Sequence, residues 1–328
     1  RPFNRSGQNS LLVNKLSMTV RLDTPRGLEM FKRLVKVSDI VMENNAPGAM
    51  DGLGISYEAL KEVNPKLIYI STPLYGCSGP YCREVGFGMN ADGLSTFLLR
   101  RGYPDMSPAT TPYTYWMDEA TGHCVVFAAL AALHYRNRTG KGQFIDISQF
   151  ENLVVQSGEA VMDYIMNGRV QKRLGNRNPR AAPCGCYRCK GEDRWANITV
   201  FSDEEWQGFC RALGNPSWTK EARFSNALSR WKNQDELDRH VEEWTLQHDN
   251  YEVMEILQKE GVPSGPVMNE RDSFEDPHIK ARHFYEMVTH PETGPAPDYG
   301  PGTHLYPGIA WKLSKTPGRI YRYPPRLG

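Results

Sequence analysis

The sequence predicts an α/β protein with a large domain built on a parallel β-sheet and a smaller α+β domain. In the first 150 residues, short runs rich in β-branched side chains alternate with helical stretches, which is typical of parallel strands covered by helices. From about residue 185 to 280 the pattern changes to one strand pair followed by three helical stretches. Because a chain of 328 residues is long enough for two domains, we interpret this change as a domain boundary.

The large domain is predicted from three strands and a helix. The strands are residues 38–42, 67–71 and 144–148, each a short run rich in Ile, Val or Tyr. Residues 25–37 have apolar side chains at helical spacing, with Thr24 as N-cap and Pro25 at the first helical position. Strand and helix in alternation predict a βα repeat of the doubly wound type.

The smaller domain is predicted from residues 184–284. Each of its three helical stretches carries one tryptophan (Trp206, Trp231 and Trp244), which we interpret as anchors in the core, and Ser202 begins a capping box. We predict that residues 1–165 form the large domain and that residues 166–183 link it to the smaller one. Residues 285–328 are rich in Pro, Gly and Tyr, and predict an extended return segment to the large domain, with 309–313 as its one strand-like run.

Composition excludes several classes of protein. Thirty-nine basic residues balance thirty-eight acidic ones, so the charge excess of a nucleic-acid-binding protein is absent. No apolar run reaches the roughly 18 residues of a membrane span, and no signal peptide is recognised at the start. Seven cysteines, an odd number in a long chain, favour a reducing compartment. We expect a cytoplasmic protein without nucleic-acid or membrane partners.

Asp118 is the first candidate for chemistry. It precedes an alanine-rich helical stretch, where free amide groups and the helix dipole favour a carboxylate. We expect Asp118 to accept hydrogen bonds there and to stay ionised, and an ionised carboxylate can act as a nucleophile. The residues alone leave two interpretations open, a helix cap and a reagent.

Asn44 and Asn45 are the second candidate. They follow a predicted strand and therefore lie at the carboxyl edge of the sheet, where open α/β folds bind ligands. Asparagines before a Pro-Gly pair are also ordinary turn residues, so this stretch is open to both interpretations.

Three further motifs are interpreted as structural. Cys184, Cys186 and Cys189 are close in sequence, but a structural zinc site needs a fourth ligand, and we predict strand thiols without metal. Residues 139–142 lack the spacing of a nucleotide P-loop and predict a tight turn. Residues 76–80 lack the strand-turn-helix context of a serine nucleophile, because proline follows.

In their order, several stretches resemble the class III coenzyme A transferases over nearly the whole chain. The resemblance is carried by the following motifs: VMENNAPGAMDGLGISYEALKEVNPKLIYIS from residue 41, GCSGPY from 76, MDEATGHCVVFAALAAL from 117, RTGKGQFIDISQFE from 138, CYRCKGEDRW from 186 and DPHIKARHFY from 276. The family also contains α-methylacyl-CoA racemases. It implies a Rossmann-like large domain, a small domain and a dimer of two interlocked rings.

The resemblance assigns roles to particular residues. Its nucleophilic aspartate falls on Asp118, which would form a mixed anhydride with the acyl group and then an aspartyl-CoA thioester. The backbone amides of Glu119 and Ala120 are the expected donors to the oxyanion. The substrates would be an acyl-CoA donor and a carboxylic acid acceptor, with coenzyme A itself as part of the substrate and no permanently bound cofactor or metal.

The resemblance also implies contacts to coenzyme A. Asn44, Asn45 and Ala46 fall on a CoA-binding motif, with Asn45 where an aromatic residue is usual. Val20 and Asp23 match a CoA-lining strand, although the family has a lysine where Asp23 stands. Arg83 falls near a basic position of the family and would replace that charge in part.

Alternatives to an active transferase remain. The racemase branch needs a histidine at the position of Glu84, and no histidine occurs in that loop. A non-catalytic CoA-binding subunit, paired with an active paralogue, is the other alternative to a homodimer. For the acceptor, the aromatic residues between 98 and 116 suggest a bulky or aromatic acid with succinyl-CoA as donor, or else packing of this loop against a partner subunit.

Overall fold

The computed structural model describes residues 10–112, 114, 116–290 and 302–325. The chain divides into two compact units. One comprises Arg21–Pro266, and the other joins Arg1–Val20 to Val267–Gly328.

A parallel sheet of three strands forms the first half of the larger unit. Its strands lie in the order β1, β2, β3, with β1 at Ile40–Glu43, β2 at Ile68–Ser71 and β3 at Gln143–Asp146. All three predicted strands are confirmed. The third ends at Asp146 rather than at residue 148, because the Ser148 side chain accepts a hydrogen bond from the Glu151 amide and caps the next helix.

Eight helices accompany this sheet in the described residues: α1 Pro25–Lys36, α2 Ala49–Gly52, α3 Tyr57–Lys61, α4 Gly88–Leu94, α5 Phe97–Arg100, α6 Trp116–Thr139, α7 Gln149–Gln156 and α8 Gly158–Asn167. The predicted start of α1 is confirmed, since the Thr24 hydroxyl accepts a hydrogen bond from the Gly27 amide at 3.2 Å.

Helices cover both faces of the sheet, because the side chains of the fully buried strand β2 alternate between two cores. Tyr69 packs with Val35 and Leu60 of α1 and α3. Ile68 and Ile70 pack instead with α6, through residues that include Val125 and Ala132. A sheet with helices on both faces is the doubly wound arrangement that the sequence predicts.

The turn between α6 and β3 requires glycine at two positions, which confirms that residues 139–142 form a tight turn. Gly140 has φ 74°, in the left-handed region. At Gly142 a β-carbon would lie 2.0 Å from the Leu67 carbonyl oxygen, so only glycine allows the chain to approach β2 this closely.

A second sheet, antiparallel, follows in the same unit. It consists of β4 Cys184–Arg188, β5 Trp195–Thr199 and β6 Ser264–Pro266. The sequence predicted only a strand pair, because Ser-Gly-Pro at β6 has no β-branched or aromatic residue.

Helices pack on this sheet: α9 Asp203–Ala212, α10 Ala227–Lys232, α11 Gln234–Thr245 and α12 Asn250–Lys259, with two short 3-10 turns, Ser217–Lys220 and Ala222–Phe224. The capping box at Ser202 is confirmed. Trp206 is buried and Trp244 packs against the same core, but Trp231 is 38% exposed, so the prediction of a core anchor there is wrong.

The other unit contains α13 Glu270–Glu275, α14 Pro277–Ala281 and an antiparallel pair, β7 Tyr285–His290 with β8 Gly302–Pro307. The prediction of a strand at residues 309–313 is wrong, because the ladder between β7 and β8 ends at Pro307. The Asn14 side chain joins the two ends of the chain, donating to the Arg319 carbonyl at 2.9 Å and accepting from the Tyr321 amide at 2.9 Å.

Among the described residues, no helix combines the length and apolar character needed to cross a membrane.

Candidate functional site

Asp118 lies beyond the carboxyl edge of the parallel sheet. Helix α6 runs into the start of β3, so its own beginning lies at the opposite end, where the parallel strands finish. Val125 of α6 still packs on the sheet, and Asp118 precedes it by seven residues, which corresponds to about 10 Å along the helix. This is the edge at which open α/β folds bind ligands.

Asp118 is not a helix cap. Helix α6 begins at Trp116, so Asp118 is the third residue of its first turn, and within the described residues its exposed carboxylate accepts no hydrogen bond. Partial burial, followed by the neighbouring charge of Glu119, raises the pKa of Asp118. The hydrogen bonds expected to Asp118 are therefore not found among the described residues.

The helix start also corrects the expected oxyanion donors. Ala120 lies four residues after Trp116, so its amide belongs to the internal hydrogen-bond ladder of the helix, whereas the helical partner of the Glu119 amide would be residue 115, outside the described residues. The amides without helical partners at this end belong to the residues from Trp116 to Asp118.

Asn44 is tied to the region of Asp118 through α7. The Gln149 side-chain amide donates to Asn44 Oδ1 at 2.9 Å and to the Thr72 carbonyl at 2.6 Å. One turn later on α7, Asn152 donates to the Thr121 hydroxyl of α6 at 3.4 Å. The two stretches that the sequence singled out therefore border the same edge of the sheet.

A cavity of about 170 Å³ opens at the end of β1 and β2, and Glu43 and Ala46 line it whereas Asn44 between them does not. Its polar lining includes Asp51, Ser56 and Glu43, whose carboxylate accepts a hydrogen bond from the Ser71 hydroxyl, and its apolar lining includes three aromatic rings. Tyr57 lies 5.6 Å from Phe144 and 6.1 Å from Tyr69, measured between ring centroids. An apolar wall beside a few polar groups is the usual composition of a ligand pocket.

The aromatic wall was missed at the level of sequence. Phe144 is 40% exposed although it lies in a strand, and Tyr57 begins a short helix, so neither stands out in the sequence as a ligand contact. The alternation along the strand could have identified Phe144, since it lies next to the more buried Ile145 and faces the opposite side of the sheet.

Asn45 and Ala46 have different positions relative to this cavity. Ala46 lines it. The Asn45 amide donates to the Glu43 carboxylate at 2.8 Å, and its side chain lies 3.5 Å from the Met50 sulfur. Asn45 therefore stabilises the turn through its backbone, and aromatic side chains in the lining of the cavity include Tyr57 and Phe144.

The remaining predicted CoA contacts do not line the cavity. Residues 20–23 form no strand, and the half-buried Val20 belongs to the other unit. Asp23 pairs with Arg21 at 2.6 Å, and this hydrogen bond lowers the pKa of Asp23. Arg83 is exposed in a turn after the Gly-Pro motif, without an ion-pair partner in the described residues.

Thiols near the candidate site are not activated. Burial raises the pKa of Cys77 to about 11, so this thiol at the cavity stays protonated at neutral pH. Cys184 and Cys186 are half-buried on β4 and Cys189 is buried, and burial raises the pKa of all three. In the part of the chain that the structure describes, no three metal-binding side chains lie together.

A doubly wound sheet, a carboxylate at a helix start beyond its carboxyl edge and an aromatic-lined cavity at the ends of β1 and β2 are the arrangement of an α/β enzyme that binds its substrate at that edge. The family model for CoA-transferase family III matches residues 7–328, and the chain belongs to that family. It is therefore a family III CoA-transferase, as the resemblance predicted.

Individual relatives agree with this membership. The chain is 30% identical to a succinyl-CoA–D-citramalate CoA-transferase of Chloroflexus aurantiacus, over 97% of this chain and 77% of the relative. It is 31% identical to the beta subunit of a succinyl-CoA–L-malate CoA-transferase of the same organism, over 96% and 76%. The crystal structure of a CAIB/BAIF family protein from Brucella suis matches with a TM-score of 0.83 at 30% identity, over 97% of this chain and 80% of that chain.

Proposed function

We propose that this enzyme moves coenzyme A between two carboxylic acids through covalent intermediates on Asp118. The observation that carries the proposal is the junction at the carboxyl edge of the sheet, where α7 contacts Asn44 through Gln149 and α6 through Asn152. A CoA-binding turn and a nucleophile held by one helix fit a ligand that extends from the cavity to Asp118.

In the proposed reaction the Asp118 carboxylate attacks the carbonyl carbon of the donor thioester, and the carbon–sulfur bond breaks. This step yields a mixed anhydride and the CoA thiolate. The thiolate then attacks the aspartyl carbonyl and releases the donor acid, leaving an aspartyl-CoA thioester. The acceptor carboxylate reverses the sequence, so that CoA leaves on the new acid and Asp118 is restored.

Each addition places negative charge on a carbonyl oxygen, and preorganised amides lower the energy of such a state. The amides at the start of α6, up to Asp118 itself, are suited to this task because the helix does not use them.

For coenzyme A we propose contacts along the β1 turn. Asn44 and Ala46 border the adenosine or the pantetheine arm, Asn45 supports the turn, and the rings of Tyr57 and Phe144 offer a stacking surface. We also propose Val20 and Asp23 as contacts to the coenzyme A part of the substrate. Arg21, which forms an ion pair with Asp23, supplies a positive charge there, and Arg83 is a further proposed contact to a phosphate.

A dimer is proposed because apolar side chains on two helices are uncovered in the single chain. Val126, Phe127 and Leu130 on α6, with Ile165 and Met166 on α8, are each more than half exposed. A second copy, interlocked with the first, or a paralogous subunit would cover them. Two relatives are named as the beta and alpha subunits of a succinyl-CoA–L-malate CoA-transferase, so the partner is either a second copy of this chain or a paralogue. In such a ring we propose residues 1–165 and 184–284 as the two domains, joined by residues 166–183 and closed by 285–328.

Succinyl-CoA is the proposed donor, because several relatives are named as succinyl-CoA transferases. The acceptor is either a small dicarboxylic acid, such as the citramalate, malate or mesaconate for which these relatives are named, or the bulky or aromatic acid suggested by the sequence. Of the aromatic residues behind that suggestion, Tyr103 packs on Gly175 and accepts a hydrogen bond from the Asn176 side chain, and Trp116 lies two residues before Asp118. Tyr113 and Tyr115 lie outside the described residues.

The test is the intact mass of the protein after incubation with succinyl-CoA, followed by hydroxylamine or borohydride. We expect a mass change localised to the peptide that contains Asp118. It should be absent in Asp118→Asn and retained in Glu119→Gln, the matched change at the next carboxylate. Turnover with a panel of small dicarboxylic and aromatic acids then identifies the acceptor class.

The alternatives give different results. A protein that binds CoA, forms no adduct alone and gains activity with a paralogue would be an accessory subunit. Exchange of the α-proton of a chiral acyl-CoA without transfer would indicate racemase chemistry. Either result would contradict covalent transfer by Asp118 in this chain.

A further inference from the structure

A buried carboxylate outside the proposed reaction lies close to the start of α6. Asp92 on α4 is fully buried, and its Oδ2 lies 3.5 Å from Arg101 Nη2 and 3.5 Å from the Thr114 amide nitrogen. A buried charge is costly unless it is paired and hydrogen-bonded. Arg101 is the cation that pairs with it, and its own side chain is mostly buried.

Arg101 ties both ends of one loop together. Its Nη1 donates to the Thr114 hydroxyl at 2.8 Å and its Nη2 donates to the Pro112 carbonyl, so the guanidinium closes the loop that begins at Arg101 itself. Thr114 precedes Asp118 by four residues. On α4, Ala91 packs in one cluster with Met117, the residue directly before Asp118.

The linker holds the same loop from another side. Arg173 donates through Nε to the Arg101 carbonyl at 3.0 Å and through Nη1 to the Met106 carbonyl at 3.2 Å. The loop is therefore fixed at its start and its middle by one arginine, and at its end by Arg101 and Asp92.

This cluster is poorly suited to a purely stabilising role. Asp92 Oδ1, Arg101 Nε and Arg173 Nη2 are buried and lack hydrogen-bond partners among the described residues. Apolar residues of similar size are often as stabilising as a buried ion pair, or more so. Polar groups kept buried with unused hydrogen-bonding atoms indicate a function other than stability.

We propose that Asp92 and Arg101 are positioning residues, which fix the start of α6 so that groups bound to Asp118 pass to the acceptor acid faster than to water. The inference rests on the proposed function of Asp118. In the described contacts neither side chain touches Asp118, so both act through their contacts with Thr114 and through the packing of Ala91 on Met117. Loss of the contacts that Asp92 and Arg101 make would let Asp118 move relative to the thioester, and a shift of about 1 Å in an active site costs roughly 100-fold in rate.

The test compares Arg101→Met, Arg101→Lys and Asp92→Asn with a control at the far end of the same helix. Arg136 near the end of α6 pairs with Asp39 at 2.9 Å, so Arg136→Met removes an ion pair from α6 without touching its start. The measured quantity is the fraction of enzyme-bound acyl or CoA groups released to water instead of to the acceptor acid. A merely structural role would not change this fraction.

For Arg101→Met we expect kcat for transfer to fall about 10- to 100-fold, and the fraction lost to water to rise. The KM for acyl-CoA should stay within about 2-fold, because the CoA-binding turn is untouched. Arg101→Lys should recover part of the loss, and the double variant with Asp92→Asn should be no worse than Arg101→Met alone. Arg136→Met should leave the partition unchanged.

Hydrogen exchange of the peptide containing Thr114 and Asp118, in the substrate-free protein, separates failure of this proposal from failure of the proposed function. Faster exchange in Arg101→Met and Asp92→Asn than in Arg136→Met is expected whether or not the enzyme turns over. A wild-type protein that neither transfers nor forms an adduct would refute the proposed function alone. The positioning role would be refuted if folded Arg101 or Asp92 variants showed unchanged hydrogen exchange and an unchanged fraction of bound groups released to water. Asp92→Asn conserves shape and provides this comparison should Arg101→Met not fold.

Discussion

We expect Gln149 to connect the stability of the fold to the affinity for coenzyme A, and Gln149→Leu tests that connection. The side chain is almost fully buried, and its amide donates to the Thr72 carbonyl and to Asn44 Oδ1. Leucine has a similar size but no donor. Thr72 is itself buried, so its carbonyl would lose a partner that water does not replace.

The magnitude follows from these two bonds. A buried carbonyl left unpaired costs about 1–3 kcal/mol, whereas the exposed Asn44 can be hydrated again at little cost. We therefore expect the free energy of unfolding to fall by about 1–3 kcal/mol. The released Asn44 side chain loses its fixed orientation, and loss of one hydrogen bond to the ligand corresponds to a KM for acyl-CoA raised about 2- to 10-fold.

Urea unfolding gives the stability, and steady-state kinetics with succinyl-CoA gives the KM. The control is Gln156→Leu, the same substitution at an exposed position of the same helix, which should change the unfolding free energy by less than about 0.5 kcal/mol. Lower stability with an unchanged KM would refute the contact between Asn44 and coenzyme A. If Gln149→Leu behaved like the control in both assays, the role of Gln149 in joining fold and site would be refuted.

Three other predictions concern the site and the turn behind it. Asp118 must be ionised to attack, so kcat/KM should fall as the pH drops through its raised pKa. Glu119→Gln removes the neighbouring charge that contributes to the raised pKa of Asp118, so it should move the acid limb of the pH profile to lower pH. Phe144→Ala should weaken CoA binding, measured by calorimetry, by about 1–3 kcal/mol if the adenine stacks on this ring. Gly142→Ala introduces a β-carbon 2.0 Å from a carbonyl oxygen and should lower the unfolding free energy by more than about 2 kcal/mol, whereas Gly122→Ala in open space on α6 should not destabilise.

Most of the architecture could be predicted from local pattern. The three parallel strands, the cap at Thr24 and the turn at Gly142 depend on residue types with strong local preferences, such as β-branched side chains, N-cap hydroxyls and glycine. The strand Ser264–Pro266 could not be predicted this way, because it is recruited by pairing with β5 and not by its own residues.

The site was predictable only in part. Asn44 and Asp118 could be proposed as candidates because they follow a strand or begin a helix, which the sequence reveals. Phe144 and Gln149 were missed, since their roles depend on which neighbours the fold brings to the sheet edge. Such long-range partners have no signature in a single sequence.

The position of Asp118 within its helix favours reactivity over stabilisation. A carboxylate at the N-cap would accept hydrogen bonds from the first-turn amides, and these bonds lower both its pKa and the availability of its lone pairs. Asp118 stands three residues into α6 instead, with no described hydrogen bond and with a raised pKa. A more basic carboxylate is a better nucleophile, and the first-turn amides that it leaves unused remain available for the oxyanion of the thioester. A position three residues beyond the N-cap, which rules out the cap, therefore fits both requirements of the proposed acyl transfer.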